Sequence, residues 1–203
     1  MCSTSGQIEQ NSVIAPLEKI DARQILSQID FSPRCRQIAD YWLSIWDGDL
    51  LPRRGCINPA SIKSLLPGVI IFEVVPGASV TVGLSGTDFQ SALKCELTAA
   101  DWLNRTPLKD RTQRLRIFSQ VAQGAIGFNR WCFTHALQGV GVAICEKLLL
   151  PLRPDRNDAA NFVLGFVDWS DTRQKFGCKI DLEHIAPPEL VGRESLTEGG
   201  LMC

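Results

Sequence analysis

An excess of charge of either sign is missing from this chain. Its 203 residues carry 21 lysines and arginines against 22 aspartates and glutamates, a net charge of -1. Whole-chain electrostatics therefore predicts neither nucleic acid nor a membrane surface as a partner. Long apolar runs are missing too, since none approaches the roughly 18 residues of a membrane-spanning helix. The best candidate, Leu65 to Val75, is broken by Pro67 and Glu73. Met1-Cys2-Ser3-Thr4-Ser5-Gly6 has no basic cluster leading into an apolar stretch, which argues against a secretory signal. Cys203 stands last rather than fourth from the end, which argues against a prenylation box. These absences predict a cytoplasmic protein without a membrane partner.

Metal chemistry is equally poorly supplied. The eight cysteines contain no C-x-x-C, and the closest pair is Cys132 and Cys145. Structural zinc sites usually draw two ligands from one tight turn, so this spacing offers none. A cytoplasmic setting also opposes disulfides, and small, reduced, buried thiols are expected. Only His135 and His184 represent histidine, too far apart in sequence to suggest a two-histidine metal site.

What is present is a core. Hydrophobic residues make up 45% of the chain and charged residues 21%, enough apolar material for one domain with extensions. Residues 1–14 read as a disordered N-terminus, 15–32 as an N-terminal helical extension, 33–170 as the domain and 171–203 as a tail. Leu17, Ile20, Ile25, Leu26 and Ile29 fit a helix stripe over Ala15 to Ile29. Ser32 is a candidate cap and Pro33 a favourable first-turn residue for a second helix ending near Gly48. Its stripe, Cys35, Ile38, Ala39, Trp42, Leu43 and Trp46, must pack on its own domain or on a partner chain.

Asn58-Pro59 opens a short helix to Leu66, and Pro67-Gly68 closes it. Val69 to Val75 and Ser79 to Ser85 read as strands joined by the Pro76-Gly77-Ala78 turn. Thr87 to Trp102 fits one or two short helices. Pro107 begins a longer helix with Leu108, Leu115, Phe118, Val121 and Ala122 on its apolar side, ending at Gly124. Three apolar segments follow, Ile126–Leu137, Gly141–Leu152 and Asn161–Trp169, with Gly139 and Gly141 in the first turn. The order implies an α+β fold: a five-stranded antiparallel sheet, short helices on one face and the N-terminal helix on the other.

That order, with Tyr41-Trp42, Leu51-Pro52-Arg53-Arg54, Asn58-Pro59, Leu65-Leu66-Pro67, Gly86-Thr87, Leu97-Thr98 and Leu149-Leu150-Pro151-Leu152, resembles the PAS_5 family of bacterial single-domain regulators. The resemblance covers about residues 34 to 170 and makes the domain PAS-like. It implies a sensory or regulatory module without catalytic residues. Gly83 stands where the family tends to have an arginine, and Lys94 and Ala99-Ala100 replace its glycine and Gly-Arg positions.

Each candidate site has a simpler structural alternative. Leu84, Phe89, Leu93, Trp102, Trp131, Phe133, His135 and Phe166 form a candidate pocket for a small apolar ligand. Core filling explains the same residues. Cys35, Ile38, Ala39, Trp42 and Trp46 form a candidate surface for a homodimer or a signalling protein, so charge substitutions at Ile38 and Trp42 are expected to lower oligomer mass. Arg105, Lys109, Arg111, Arg114 and Arg116 stand against Asp110 alone in their run and form a candidate basic patch, which Arg53-Arg54 would extend if the fold brings them together.

A basic run at a helix start opposes the macrodipole, which would suit an acidic or phosphate-bearing partner. Nucleic acid fits the whole-chain charge poorly. Gly83-Leu84-Ser85-Gly86-Thr87 fails as a hydrolase elbow at its last position, and a small enzyme acting on a hydrophobic substrate lacks an evident nucleophile–base pair. No cofactor is assigned. A haem held by His135 is outweighed by an ordinary strand histidine, and Gly127 to Phe133 resembles a flavin-photoreceptor motif only in composition.

Overall fold

The computed structural model describes residues 17–47, 50–93, 96–134, 142–156, 160–168 and 189–191. Helix α1 spans Lys19–Ser27 and α2 spans Pro33–Ser44. Strands β1 (Val69–Val75) and β2 (Ser79–Ser85) precede α3 (Thr87–Leu93) and α4 (Leu108–Ala122). Strands β3 (Ile126–Thr134), β4 (Val142–Leu152), β5 (Asn161–Asp168) and β6 (Glu189–Val191) complete the fold. All pair antiparallel in one sheet, in the order β2-β1-β5-β4-β3-β6.

The five expected strands form. The β1–β2 hairpin joins the later strands through β1, whose Val69 to Val74 pair with Phe166 back to Asn161 of β5. A sixth, three-residue strand lies inside the segment read as a tail and pairs with Ile126 to Phe128 of β3. Three residues are too few to show a periodicity, so only the partner strand reveals it. The remaining tail, residues 1–14, Gly48, His135, Gly139, Gly141 and Trp169 lie outside the described residues.

Both faces of the sheet are covered, which is why its strands are apolar in both alternating sets. Ile70, Phe72, Val74, Val163, Val167 and Leu149 face α4, with Phe89, Leu97 and Trp102 closing that side. Val69, Ile71, Leu148, Leu150, Leu164 and Phe166 face α1 and α2. On the α4 side Phe72 meets Phe118 edge-on at 4.7 Å and Trp102 at 5.4 Å between ring centres. Gly165 makes room for that cluster: a Cβ there would stand 2.6 Å from Ile70 Cγ2 and 3.0 Å from Phe72 Cε2.

Helix α2 begins as its sequence predicts. Ser32 Oγ accepts from Cys35 N–H at 3.2 Å, satisfying one of the donors a helix start leaves open, and Pro33 occupies the first turn. The helix ends at Ser44, short of Gly48. Asn58 caps as expected, its Oδ1 accepting from Ala60 N–H at 3.0 Å, but Pro59–Ile62 and Leu66–Gly68 are separate 3₁₀ turns. Of the one or two short helices expected over Thr87 to Trp102, one forms, α3, and the residues before Trp102 make a turn along the β2 edge. Val82 N–H donates to Ala100 O, and Ala99 N–H to Val82 O. On α4, Leu108 is 79% exposed while Ile117 and Arg114 are buried. The apolar side is rotated, because Leu108 lies in the first turn, before the helix reaches the sheet.

Gly86 joins β2 to α3 where two backbones cross. Its N–H donates to Val69 O at 2.7 Å, and a Cβ would stand 2.3 Å from Leu66 O and 2.4 Å from Pro67 O. Carbonyl oxygens of a 3₁₀ turn cannot swing aside as a side chain would. Gly86→Ala is therefore expected to cost about 3 kcal/mol, towards the upper end for overpacking, measured as a lower urea midpoint with an unchanged slope.

Candidate functional site

The structure divides the candidate pocket residues. Phe89 and Trp102 lie in the core under α4, whereas Phe166 lies in the core under α2, across the sheet. Leu84 is 47% exposed on β2. The side chains of Leu93, Trp131 and Phe133, and all of His135, lie outside the described ones. The placed members do not meet around one cavity. Ser85 ends a strand, its hydroxyl donating to Gly86 O at 3.4 Å.

The candidate partner surface is corrected outright. Cys35, Ile38, Ala39 and Trp42 are 0% exposed and Trp46 2%, all within the core between α2 and the sheet. Trp42 Nε1–H donates to Pro151 O at 3.0 Å, and the two tryptophan rings pack edge-on at 4.8 Å. The stripe is spent on its own domain. A charge at Ile38 would stand in a dry core, so Ile38→Asp is expected to abolish the folding transition. A folded variant with only a lower oligomer mass would contradict the structure.

The basic patch is also redistributed. Arg114 is fully buried, and burial lowers its pKa, with Asp110 opposing the shift. Arg111 donates from Nε to Thr106 O at 3.0 Å and from Nη2 to Asn104 O at 3.2 Å. Arg105 donates to Glu96 O at 3.2 Å. These arginines close the carbonyls of the loop entering α4, which gives the basic helix start a structural role. Lys109 and Arg116 are exposed. Arg54 lies on the opposite face, its guanidinium 4.8 Å from the centre of the Phe162 ring. Arg53 and Arg54 instead meet Arg153 through backbone pairing, with Arg54 N–H donating to Arg153 O at 3.0 Å.

The polar feature that the sequence reading missed lies where β4 and β5 end beneath α2. Glu146 and Asp168 are register partners on neighbouring strands, and both are buried. Like charges directly opposite each other oppose pairing, so such a couple needs donors. The start of α2 provides them. Ser32 N–H donates to Glu146 Oε2 at 2.8 Å, and Ser32 Oγ–H to Asp168 Oδ2 at 2.8 Å.

Two arginines complete the clamp. Arg34 Nη1 lies 3.1 Å from Asp168 Oδ1 and Arg34 Nη2 lies 4.0 Å from Asp88 Oδ2. Arg130 contacts Glu146 Oε1 from Nε at 2.9 Å and from Nη2 at 2.7 Å, and it also donates to Asp30 O. The loop between α1 and α2, the start of α2, α3, β3, β4 and β5 therefore meet at one polar cluster. Its only visible sequence signal is charge inside apolar strands: Glu146-Lys147 within Val142–Leu152, and Asp168 at the end of Asn161–Asp168.

Cys35 and Cys145 are free and buried, and burial pushes both thiols up, in keeping with unreactive core cysteines. On the α4 face of β4, opposite to Glu146, Lys147 is 4% exposed and lies 5.8 Å from the centre of the Phe118 ring. Burial, reinforced by Arg114, lowers its pKa from 10.5 to about 7. Between pH 7 and 10.5 the unfolded chain thus binds a proton that the folded chain does not, and stability rises with pH across that window. Lys147→Met is expected to stabilise the protein more at pH 6 than at pH 10, measured by urea midpoints at the two pH values.

Among the described residues, no group of three or more histidines, cysteines or carboxylates could hold a metal ion, and no helix is long and apolar enough to cross a membrane. A search of curated proteins finds no match to the chain. The PAS_5 family model, described as a PAS domain, matches residues 31–167, from the loop before α2 almost to the end of β5. It spans the sheet's five principal strands, α2 to α4 and every side chain of the buried carboxylate clamp except Asp168. The chain belongs to the PAS domain family.

Proposed function

We propose that this chain is a non-catalytic, cytoplasmic PAS-type regulatory module whose state is transmitted by the N-terminal helices packed on the sheet. PAS domains are in general sensory and regulatory rather than catalytic, and the match gives the chain that character at the family level. The clamp between the start of α2 and the buried Glu146–Asp168 couple carries the finer reading. It joins the covering helices to the two central strands through charged hydrogen bonds, each worth about 1.5–3 kcal/mol. A small ligand or signalling protein that binds the clamped and released arrangements unequally shifts the population between them.

The aromatic packing on the α4 side favours a partner-driven change over an apolar ligand held inside. Phe72 packs against both Trp102 and Phe118 there, and Gly165 leaves no spare volume beside Phe72. The output surface is then the outer side of α1 and α2, the buried stripe having been excluded. Asp168→Asn keeps the shape of the clamp and removes its charge. Hydrogen exchange should accelerate by about tenfold or more at the α1 and α2 amides while the β1 and β5 amides keep their protection. Equal acceleration of helices and sheet would make the clamp part of one indivisible fold and defeat this reading.

A further inference from the structure

We propose that the cleft between α1 and α2 is a binding site for a small organic anion with a short aliphatic body. The cleft has a volume of about 380 Å³, within the usual range of small-molecule sites. Lys19, Arg23 and Leu26 line it from α1, and Arg36, Asp40 and Leu43 from α2. Each set is spaced i, i+4, i+7, the spacing that puts residues on one helix face. The helices are tied at both ends of the cleft. Lys19 Nζ donates to Trp46 O at 2.5 Å, and Arg36 donates to Leu26 O at 2.9 Å and to Ile29 O at 2.5 Å.

The charge of this wall is selective. Three cations face one carboxylate in a chain whose net charge is -1. Among the described residues, no carboxylate lies within ion-pair distance of Lys19, Arg23 or Arg36. The structural hydrogen bonds use one of the three donors of the Lys19 ammonium and two of the five of the Arg36 guanidinium, leaving capacity for an anion. The half-buried Leu43 gives the cleft an apolar side, backed by the buried Leu26 beneath it. Glu18 and Asp21 flank Lys19 in sequence, which disfavours a polyanion and suits a single charged group. Such a ligand would touch both helices at once. Binding is a property of the cleft itself, so its outcome is separate from that of the clamp reading.

The test is a two-dimensional amide NMR titration of the full chain with hexanoate, with hexanol and with inorganic phosphate. Hexanoate is expected to give saturable shifts centred on residues 19–27 and 36–44. Hexanol and phosphate, each carrying half of the recognised chemistry, should bind at least tenfold more weakly. Arg23 is exposed, so Arg23→Glu should keep the fold, confirmed by its spectrum, and weaken hexanoate at least tenfold, while Arg116→Glu on α4 should leave affinity unchanged. No saturable shift up to about 10 mM hexanoate, shifts centred elsewhere, equal binding of hexanol or phosphate, or unaltered affinity in Arg23→Glu would each overturn the assignment.

Discussion

Two carboxylates buried opposite each other on neighbouring strands are the constraint around which this domain is arranged. Glu146 and Asp168 repel one another and have lost most of their water, so their position is tenable only while donors are held against them. Ser32 meets that demand with both its backbone N–H and its hydroxyl, while the same hydroxyl oxygen caps α2. Removing the helix start would thus take from Asp168 its Ser32 and Arg34 donors and leave Glu146 held by Arg130 of β3, and neutralising the couple would loosen the helix. Local capping and long-range sheet structure are one interaction here.

This arrangement separates the two faces of the sheet in kind. The α4 face is held by aromatic edge-to-face packing around Phe72, and it buries two cations, Arg114 and Lys147, the latter beside the Phe118 ring. The α2 face combines a large apolar stripe with a polar latch at one end. An apolar interface resists small perturbations because its contacts are many and individually weak. A latch of a few charged hydrogen bonds responds to a single change of partner or charge. On the function proposed above, the adjustable part of the molecule lies on the helices outside the sheet.

Much of the architecture was readable beforehand. Val69–Val75 and Ser79–Ser85 announce themselves by β-branched alternation between turn residues, and Ser32-Pro33 marks a helix start by chemistry that works within four residues. The candidate sites were less readable. The Cys35–Trp46 stripe is apolar whether it meets a sheet or another chain, and periodicity reports only that it is buried. The basic run from Arg105 to Arg116 looks like a surface patch until the carbonyls of residues 96–106 are seen to accept its guanidinium groups and Arg114 is found inside.

The amino-acid order alone therefore determined the succession of the main helices and the five principal strands, the family resemblance and the need for cover on both faces of the sheet, because each follows from local propensity and from patterns a few residues long. Tertiary structure decided which face each helix covers, that the α2 stripe belongs to the domain's own core, and that a three-residue strand extends the sheet beside β3. It also brought Ser32 to Glu146 and Asp168, more than a hundred residues away along the chain. Electrostatic partners at that separation share no period or spacing; only the register of paired strands makes them neighbours.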